Sequence, residues 1–185
     1  KYSASQARAY SGLGITGTTY EPGFKYASRL ICKLDAKRIL DFGCGTGRST
    51  VLIKKLGASQ VVGVDVSKHM VIEAEKKHKG RGLKFYHIKE RAPFSNDYFD
   101  AALCAHVLVE SRSLEEMESI LKEIYRVLKS GGSLIIITTN PKSIGREYKS
   151  YSYEKRTDLG SGDKISCRIK SSPQFTIMDT YWTED

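Results

Sequence analysis

The residues best placed to do chemistry form a glycine-rich loop that follows a short apolar stretch. Residues 39–47 read Ile-Leu-Asp-Phe-Gly-Cys-Gly-Thr-Gly, and a helical pattern begins at Arg48. Glycines at a strand-to-helix turn let the backbone bend sharply and let a ligand lie against it. The helix start behind the loop supplies free N–H groups and the positive end of a dipole. The segment therefore predicts a binding site for a nucleotide-like ligand.

The spacing of this loop distinguishes between nucleotide classes. The dinucleotide fingerprint is G-x-G-x-x-G, whose third glycine allows close packing of helix on strand. Here the glycines are Gly43, Gly45 and Gly47, Arg48 occupies the third fingerprint position, and Asp41 precedes the loop. A carboxylate at this point would repel a pyrophosphate, but it suits a ligand that carries an amine and a sulfonium. No Gly-Lys-Ser/Thr follows, so the P-loop pattern is excluded.

A second acidic residue closes the next apolar run. Asp65 follows residues 61–64 (Val-Val-Gly-Val) and stands 22 residues after Gly43. An acidic side chain at the end of the second strand of such a unit can accept hydrogen bonds from both hydroxyls of a ribose. We therefore expect Asp65 to bind the sugar of the ligand that lies on the loop.

Alternating strand and helix patterns must position these residues. Helices are predicted from Arg48 to about Leu56 and from Ser67 to about His78. Strands are predicted over 38–42, 60–65, 83–88, 99–104 and 134–138. Apolar strands that alternate with helices predict an α/β fold with a doubly wound, mostly parallel sheet.

The clearest helical pattern opens with a predicted capping box at Ser113 and Glu116. Residues 129–132 (Lys-Ser-Gly-Gly) are predicted to end this helix. Its apolar residues follow the 3.6-residue period and are expected to face the sheet: Leu114, Met117, Leu121, Ile124 and Leu128.

The glycine loop resembles motif I of the class I S-adenosylmethionine-dependent methyltransferases. Residues 92–94 and 98–103 are similar to the Leu-Pro-Phe…Phe-Asp-x-Val motif of members that act on small molecules, here the type 11-like domain. Residues 124–132 resemble their Arg-Val-Leu-Lys-Pro-Gly-Gly motif, with Ser130 in place of proline. The resemblance covers 38–139 and implies a Rossmann-like fold, S-adenosylmethionine as cofactor, and methyl transfer to a small metabolite.

The resemblance also implies which residues contact the cofactor. Members of the family usually carry an Asp before the Leu-Pro-Phe motif that binds the adenine amine, but Ile88 or Lys89 stands there in this chain. Glu90 is the nearest carboxylate and the candidate substitute. The implied contact set is Asp41, Gly43, Cys44, Gly45, Thr46, Gly47, Asp65, Val66, Met70, Glu90, Ala105, His106 and Tyr10.

A candidate catalytic base follows the fourth predicted strand. A sulfonium is already activated, so the protein mainly has to align the reactants and exclude water, although a hydroxyl or ammonium acceptor also needs a base. His106 lies at the carboxyl edge of the sheet and is the first candidate, with the lining of the cofactor pocket as its alternative role. Glu110 is the second candidate, or else an acid that begins a helix.

An aromatic side chain near the N-terminus is expected to close over the methionine end of the cofactor. Similar methyltransferases use an aromatic residue of their N-terminal helix for this purpose. Tyr10 is the residue that we expect in this role. Ordinary packing is the alternative, and three further tyrosines compete for the role: Tyr2, Tyr20 and Tyr26.

Length and pattern predict a single domain with three parts. Residues 1–37 are expected to form an N-terminal helical cap and residues 38–139 the S-adenosylmethionine-binding core. Residues 140–185 are expected to form a substrate-side lid with a hairpin over 164–170 and 175–181. Because the chain would leave its fifth strand as a bare apolar edge, we expect a truncated C-terminus or a second chain that covers this edge.

The net charge and the cysteine content indicate which partners and which cellular compartment remain possible. The net charge of +9 can attract RNA, so the alternatives are a tRNA- or RNA-modifying methyltransferase and a non-catalytic S-adenosylmethionine-binding regulatory subunit. The four cysteines form no Cys-x-x-Cys pair, which favours reduced thiols in a cytoplasmic protein over disulfides or a zinc site. No metal cluster is expected, and no apolar run reaches the length of a membrane span.

Overall fold

The computed structural model describes residues 2–18, 20–78, 80, 82–139, 151–156, 158–160, 163–169 and 176–180. Two helices, α1 (Ala4–Ser11) and α2 (Glu21–Lys33), precede the main sheet. A capping box opens α1, because Ser3 Oγ accepts from the Gln6 N–H at 3.3 Å and Gln6 Oε1 accepts from the Ser3 N–H at 2.8 Å. None of the helices among these residues has the length and apolar character of a membrane span.

The main sheet has five parallel strands in the order β3-β2-β1-β4-β5. The order reverses beside β1, so the strand that feeds the glycine loop lies at the centre of the sheet. This arrangement confirms the predicted doubly wound parallel fold. The strands are β1 (Arg38–Phe42), β2 (Gln60–Asp65), β3 (Leu83–His87), β4 (Phe99–Ala105) and β5 (Leu128–Ile137).

Helices cover both faces of this sheet. On one face, α2 and α3 (Arg48–Lys55) bury Phe24 and Ile53 against β1, β2 and β4. On the other face, α5 (Leu114–Val127) buries Ile124 and Val127 against the same three strands. Because β1, β2 and β4 are buried on both sides, packing fixes the positions of their carboxyl ends.

The glycine loop leads directly into α3, and Ser67 begins the next helix. Gly57 follows the end of α3 with a φ of +101°, as expected for a helix stop. Ser67 Oγ accepts from the Met70 N–H at the start of α4 (Lys68–Lys77), which confirms the predicted N-cap. Both helices therefore begin where the sequence predicts, after the loops that follow β1 and β2.

The structure confirms Ser113 as the N-cap of α5, but the second half of the predicted capping box is not formed among the described residues. Ser113 Oγ accepts from the Glu116 N–H at 3.2 Å, but the Glu116 carboxylate accepts from the Arg112 N–H at 2.7 Å. The prediction that Leu114 faces the sheet is wrong, because this side chain is 65% exposed. At 3.6 residues per turn, Leu114 lies about 80° around the helix from the buried Ile124.

The segment predicted to end this helix belongs to a strand instead. Leu128 pairs with Phe99 and Ser133 pairs with Ala101, so residues 129–132 form a bulge inside β5. Gly131 has a φ of +76°, a conformation that suits a glycine in a bulge. The strand thus begins at Leu128 and not at 134, and Leu128 is a strand residue rather than a helix residue.

A second, antiparallel sheet contains β6 (Tyr151–Tyr153), β7 (Lys164–Ile169) and β8 (Thr176–Thr180). The predicted hairpin is confirmed for β7 and β8, while positions 170, 175 and 181 lie outside the described residues. Tyr153 and Ile165 are buried against side chains of α1, including Tyr10. The small sheet therefore packs beside the N-terminal segment.

Candidate functional site

A cavity of about 660 Å³ opens at the carboxyl ends of the parallel strands. Its wall includes the first residues after four of the strands: Gly43, Val66, Ile88 and His106. Ligands of open α/β sheets bind at this edge, beside the point where the strand order reverses. The volume lies within the range of small-molecule and cofactor sites, which is roughly 300–1,000 Å³.

The glycine loop is fixed onto β2 by its own backbone. The N–H groups of Gly43 and Cys44 both donate to the carbonyl oxygen of Val64, at 2.8 and 3.0 Å. Gly43 has a φ of +73°, and a Cβ atom there would lie only 2.2 Å from Val107 Cγ2. A side chain at this position would therefore displace the loop that follows β4.

Gly45 and Gly47 serve different purposes. A Cβ atom at Gly47 would lie 2.9 Å from the Phe85 ring, so this glycine allows the close packing of the loop. Gly45 lines the cavity, has a φ of +52°, and a Cβ atom there would lie 3.6 Å from the Tyr10 ring. A side chain at Gly45 would thus lie at the cavity wall, beside the Tyr10 ring.

Asp65 joins the loop to the end of β2. Its Oδ2 accepts from the Gly45 N–H at 2.8 Å, and its Oδ1 accepts from the Ser67 N–H at 2.7 Å. Burial raises the pKa of the carboxyl, and these two hydrogen bonds oppose the shift. Each carboxylate oxygen has a second lone pair, so Asp65 can also accept hydrogen bonds from a diol in the cavity.

Asp41 lies beneath the loop and does not line the cavity. Only 1% of its surface is exposed, and its Oδ2 accepts from Ser49 Oγ at 2.7 Å and from Thr50 Oγ1 at 2.6 Å. Its Oδ1 is buried and has no hydrogen-bond partner among the described residues. Burial raises the pKa of Asp41 to about 6, against the lowering effect of the two hydroxyl groups. Through its hydrogen bonds with Ser49 and Thr50, Asp41 holds the first turn of α3 behind the glycine loop.

His106 has a strained backbone, a buried ring, and a ring nitrogen with no hydrogen-bond partner among the described residues. Its φ of +57° lies in the left-handed region, which residues other than glycine seldom adopt. Its ring meets the edge of the Tyr20 ring at a centroid distance of 4.8 Å. Its buried Nε2 has no hydrogen-bond partner in the described part of the chain. Burial, with a smaller effect from the Arg48 charge, lowers the pKa of His106 to about 4, so the ring is neutral at pH 7.

One part of the cavity wall is rich in tyrosine. Tyr2, Tyr10 and Tyr20 all line the cavity. Tyr2 Oη donates to Glu110 Oε1 at 2.7 Å, and the rings of Tyr2 and Tyr10 lie 6.0 Å apart. Glu110 ends a short 3-10 helix, Leu108–Glu110, that follows β4. The N-terminal segment and the end of β4 thus meet in this wall.

Arg48 ties the N-terminal segment to the glycine loop. Its guanidinium carbon lies 4.3 Å from the centre of the Tyr10 ring, and its Nη1 donates to the carbonyl oxygens of Leu13 and Gly14 at 3.1 and 3.2 Å. The sequence showed Arg48 only as a departure from the dinucleotide fingerprint. Its role depends on contacts with a segment more than 30 residues away, which the local pattern does not reveal.

The structure brings together most of the residues implied as cofactor contacts. Four residues of the implied set do not line the cavity: Asp41, Cys44, Thr46 and Gly47. Among these, Cys44 lines a smaller adjoining pocket. The residues of the set that line the cavity are Tyr10, Gly43, Gly45, Asp65, Val66, Met70, Glu90, Ala105 and His106. Among the described residues, no cluster of His, Cys, Asp or Glu is arranged to hold a metal ion.

The methyltransferase domain model matches residues 40–136, which is just over half of the chain. The match begins within β1, ends within β5, and includes the glycine loop, Asp65, His106 and Glu110. The residues of α1 and the small sheet lie outside it.

Two curated relatives share about a third of the aligned residues. The ubiquinone/menaquinone biosynthesis C-methyltransferase UbiE of Desulfotalea psychrophila is 33% identical over 108 residues, which cover 57% of this chain and 43% of that protein. The demethylmenaquinone methyltransferase of Thermus thermophilus is 34% identical over 122 residues, which cover 62% of this chain and 54% of that protein. The chain thus spans about half the length of these relatives.

The fold is also similar to solved structures. The PH0226 protein of Pyrococcus horikoshii superposes with a TM-score of 0.68 at 20% sequence identity. The superposition covers 100% of this chain and 85% of that one. At this level of identity the similarity establishes the shared fold alone.

Proposed function

The chain belongs to the methyltransferase domain family, and from this premise we propose that it transfers the methyl group of S-adenosylmethionine to a small organic acceptor. The observation that carries the proposal is the hydrogen bond between the Gly45 N–H and Asp65. This bond joins the loop that a ligand can lie against to the carboxylate that can hold a ribose, in one wall of the cavity. The names of the curated relatives support the same chemistry.

The residues present fit the cofactor. Gly45 leaves the cavity wall open for its amino-acid end, Gly43 allows the close approach of Val107, and Asp65 keeps lone pairs for the ribose hydroxyls. On the adenine side, Ile88 offers a buried apolar contact and Glu90 offers a carboxylate. When bound, S-adenosylmethionine supplies a methyl group on a positively charged sulfur.

We propose that His106 takes the proton that the acceptor loses. A lowered pKa keeps its imidazole neutral at pH 7, so that a ring nitrogen can accept a hydrogen bond. Tyr20 and Phe24 contact the ring and hold its orientation, with centroid distances of 4.8 and 6.3 Å. Glu110 lies on the same wall and is the second candidate for this role.

We propose that the N-terminal segment helps to exclude water from the reactants. Tyr10 packs against the glycine loop at Gly45 and under the Arg48 guanidinium. We propose that this ring closes the site, as predicted for Tyr10. A shielded site suits methyl transfer, because water would compete with the acceptor.

We also propose a cytoplasmic location. Cys32, Cys44 and Cys104 are free thiols, and the latter two are buried. Free thiols are the usual state of cysteine in a reducing compartment. A fractionation experiment with an antibody against the chain would test this location.

Label transfer tests the activity. The protein is incubated with methyl-labelled S-adenosylmethionine and either a metabolite extract or total tRNA, with Asp65→Ala as the inactive control. We expect label in the small-molecule fraction and none with the variant. Label in tRNA would support the RNA-modifying alternative, and cofactor binding without label in either fraction would support the regulatory subunit.

A further inference from the structure

The side chain of Arg48 holds the chain at the point where α1 ends. Arg48 is the first residue of α3, and its Nη1 donates to the carbonyl oxygens of Leu13 and Gly14 at 3.1 and 3.2 Å. Its guanidinium carbon lies 4.3 Å from the centre of the Tyr10 ring. One side chain thus contacts both the backbone and the aromatic ring of residues 10–14, which we call the α1 end.

A second cation reaches the α1 end from α4. Lys77, the last residue of that helix, donates from Nζ to the carbonyl oxygen of Ser11, and its Nζ lies 3.2 Å from Ser11 Oγ. The last carbonyl groups of a helix have no intrahelical partner, so cations near them are stabilising. Arg48 is half-buried whereas Lys77 is exposed, so salt screens the Lys77 contact more strongly.

The α1 end is also the part of the N-terminal segment that touches the glycine loop. Tyr10 lines the cavity, and a Cβ atom at Gly45 would lie 3.6 Å from its ring. Arg48 covers this ring and follows the glycine loop directly in the chain. The contacts of Arg48 therefore join the α1 end to the loop that we propose for the cofactor.

Both cations are carried by helices that pack with this loop. α3 continues from Gly47, the last residue of the loop. α4 packs on the loop from the side, because Cys44 is buried in one cluster with Val71 and Ala74. A change in the loop can therefore reach the α1 end through either helix.

We propose that Arg48 is a positioning residue, which holds the α1 end closed on the glycine loop so that this closure and cofactor binding stabilise each other. Lys77 supports the same closure from α4. The inference rests on the proposed function and adds to it a residue that acts through Tyr10. Because the coupling of two binding events is reciprocal, a bound cofactor should order the α1 end, and loss of Arg48 should release the cofactor faster.

The rates of ligand binding separate a positioning role from a structural one. Surface plasmon resonance on the immobilised full chain gives the association and dissociation rates of S-adenosylhomocysteine, the demethylated cofactor. Arg48→Met should speed dissociation about tenfold or more without slowing association, because a cation–π contact and two hydrogen bonds from a charged group are lost. Lys77→Met should have the same effect at about threefold, because it removes one exposed contact.

Two further variants of α3 serve as comparisons. Arg48→Lys keeps the charge but loses the planar guanidinium that lies on the Tyr10 ring, so it should give an intermediate dissociation rate. Lys54→Met is the matched control, because Lys54 Nζ also donates to two carbonyl oxygens, those of Ala58 and Ser59 at 2.7 and 2.9 Å. These contacts do not involve the α1 end, so Lys54→Met should lower the melting temperature and leave both rates unchanged.

Hydrogen exchange measured by mass spectrometry tests the reciprocal effect on the wild-type chain. Saturating S-adenosylhomocysteine should slow the exchange of backbone amides in α1 as well as in the glycine loop, because closure lowers the population of the open segment. In Arg48→Met the protection of α1 should be lost, while the protection of the loop should persist.

The outcomes separate this inference from the proposed function. If S-adenosylhomocysteine binds the wild type and leaves Arg48→Met at the same rate, the positioning role is wrong and the methyltransferase proposal stands. If Arg48→Met fails to fold, the wild-type chain decides, because protection confined to the glycine loop overturns the coupling. Failure of S-adenosylhomocysteine to bind the wild type contradicts the proposed function itself, and the inference falls with it.

Discussion

The two walls of the cavity are built in different ways. The wall that we propose for the cofactor (the cofactor wall) comes from the ends of neighbouring parallel strands and from the loops that leave them, within residues 40–90. The wall that we propose for the acceptor (the acceptor wall) joins the N-terminal segment, up to the start of α2, to the short 3-10 helix, which is far away in the sequence. The first wall is therefore fixed by the backbone of the sheet, and the second by contacts between side chains.

This difference predicts a difference in local stability. Backbone hydrogen bonds join Gly43 and Cys44 to β2, whose residues Val61, Val62 and Val64 are fully buried. Side chains hold the N-terminal segment instead: Arg48 bonds Leu13 and Gly14, and Lys77 bonds Ser11. Segments with few buried backbone contacts open at a lower free energy than core strands, so we expect α1 to open before the sheet does.

The largest effect is expected from a side chain in the cofactor wall. Gly45→Val should abolish the binding of S-adenosylhomocysteine, because the new side chain would enter the cavity at a residue that lines it. The left-handed backbone at Gly45 adds a strain of about 1–2 kcal/mol for a non-glycine residue. Calorimetry measures the affinity, and the melting temperature reports folding.

Gly80→Val is the control for this change. Among the described residues, a Cβ atom at Gly80 would have only Leu83 Cδ1 within reach, at 4.0 Å, so this variant should bind the ligand like the wild type. If Gly45→Val folded and bound normally, the loop would be a structural turn, and the cofactor wall would lie elsewhere.

Loss of the carboxylate of the same wall should have the next largest effect. Asp65→Ala removes an acceptor for two ribose hydroxyls, and each hydrogen bond to a charged group contributes about 1.5–3 kcal/mol, so affinity should fall by about 100-fold or more. The variant should also melt earlier, because the N–H groups of Gly45 and Ser67 lose their partner. Glu75→Ala on α4 serves as the control, and unchanged affinity in Asp65→Ala would refute the ribose assignment.

A change at His106 should affect the rate of methyl transfer rather than the affinity for the cofactor. His106→Asn should lower the rate of methyl transfer by about 100-fold, as for the loss of a general base, with little change in the binding of S-adenosylhomocysteine. Because the pKa of His106 is lowered to about 4, the wild-type rate should stay level from pH 8 to pH 6 and fall as the pH approaches 4. An equal rate in the variant would leave His106 as a lining residue only.

The smallest effect is expected from a change at Asp41, which lies beneath the glycine loop. The folded protein holds Asp41 with a pKa raised to about 6, so its ionisation disfavours the fold, and this effect grows as the pH rises from 4 to 7. Relative to the wild type, Asp41→Asn should therefore gain about 2–3 kcal/mol in the free energy of unfolding between pH 4 and pH 7. Urea unfolding at both pH values measures this change, and a pH-independent difference would contradict the raised pKa.

The cofactor wall could be predicted from the sequence because its residues are set by local backbone geometry. Gly43 and Gly45 adopt positive φ angles at a strand-to-helix turn, and Asp65 ends an apolar strand, all of which short patterns indicate. The parallel sheet follows from the same alternation of strands and helices. The sequence alone thus indicated the sheet edge at which the cavity lies, and two of the residues that line it, Gly45 and Asp65.

The acceptor wall and two local details could not be predicted in this way. The contact of Tyr2 with Glu110 joins residues 108 positions apart, and no local pattern encodes it. Residues 129–132 have the composition of a turn, but pairing with β4 extends β5 through them as a bulge. Leu114 fits the helical period and yet is exposed, because the buried face of α5 is centred on Ile124 and Val127.

The most direct test of the central claim is the change in melting temperature when the full chain is mixed with S-adenosylhomocysteine or with NAD⁺. At a concentration of 100 times its dissociation constant, a ligand of the native state adds about 2.7 kcal/mol of stability. We predict a clear rise in melting temperature with S-adenosylhomocysteine and none with NAD⁺. A rise with NAD⁺ and none with S-adenosylhomocysteine would contradict the proposed site.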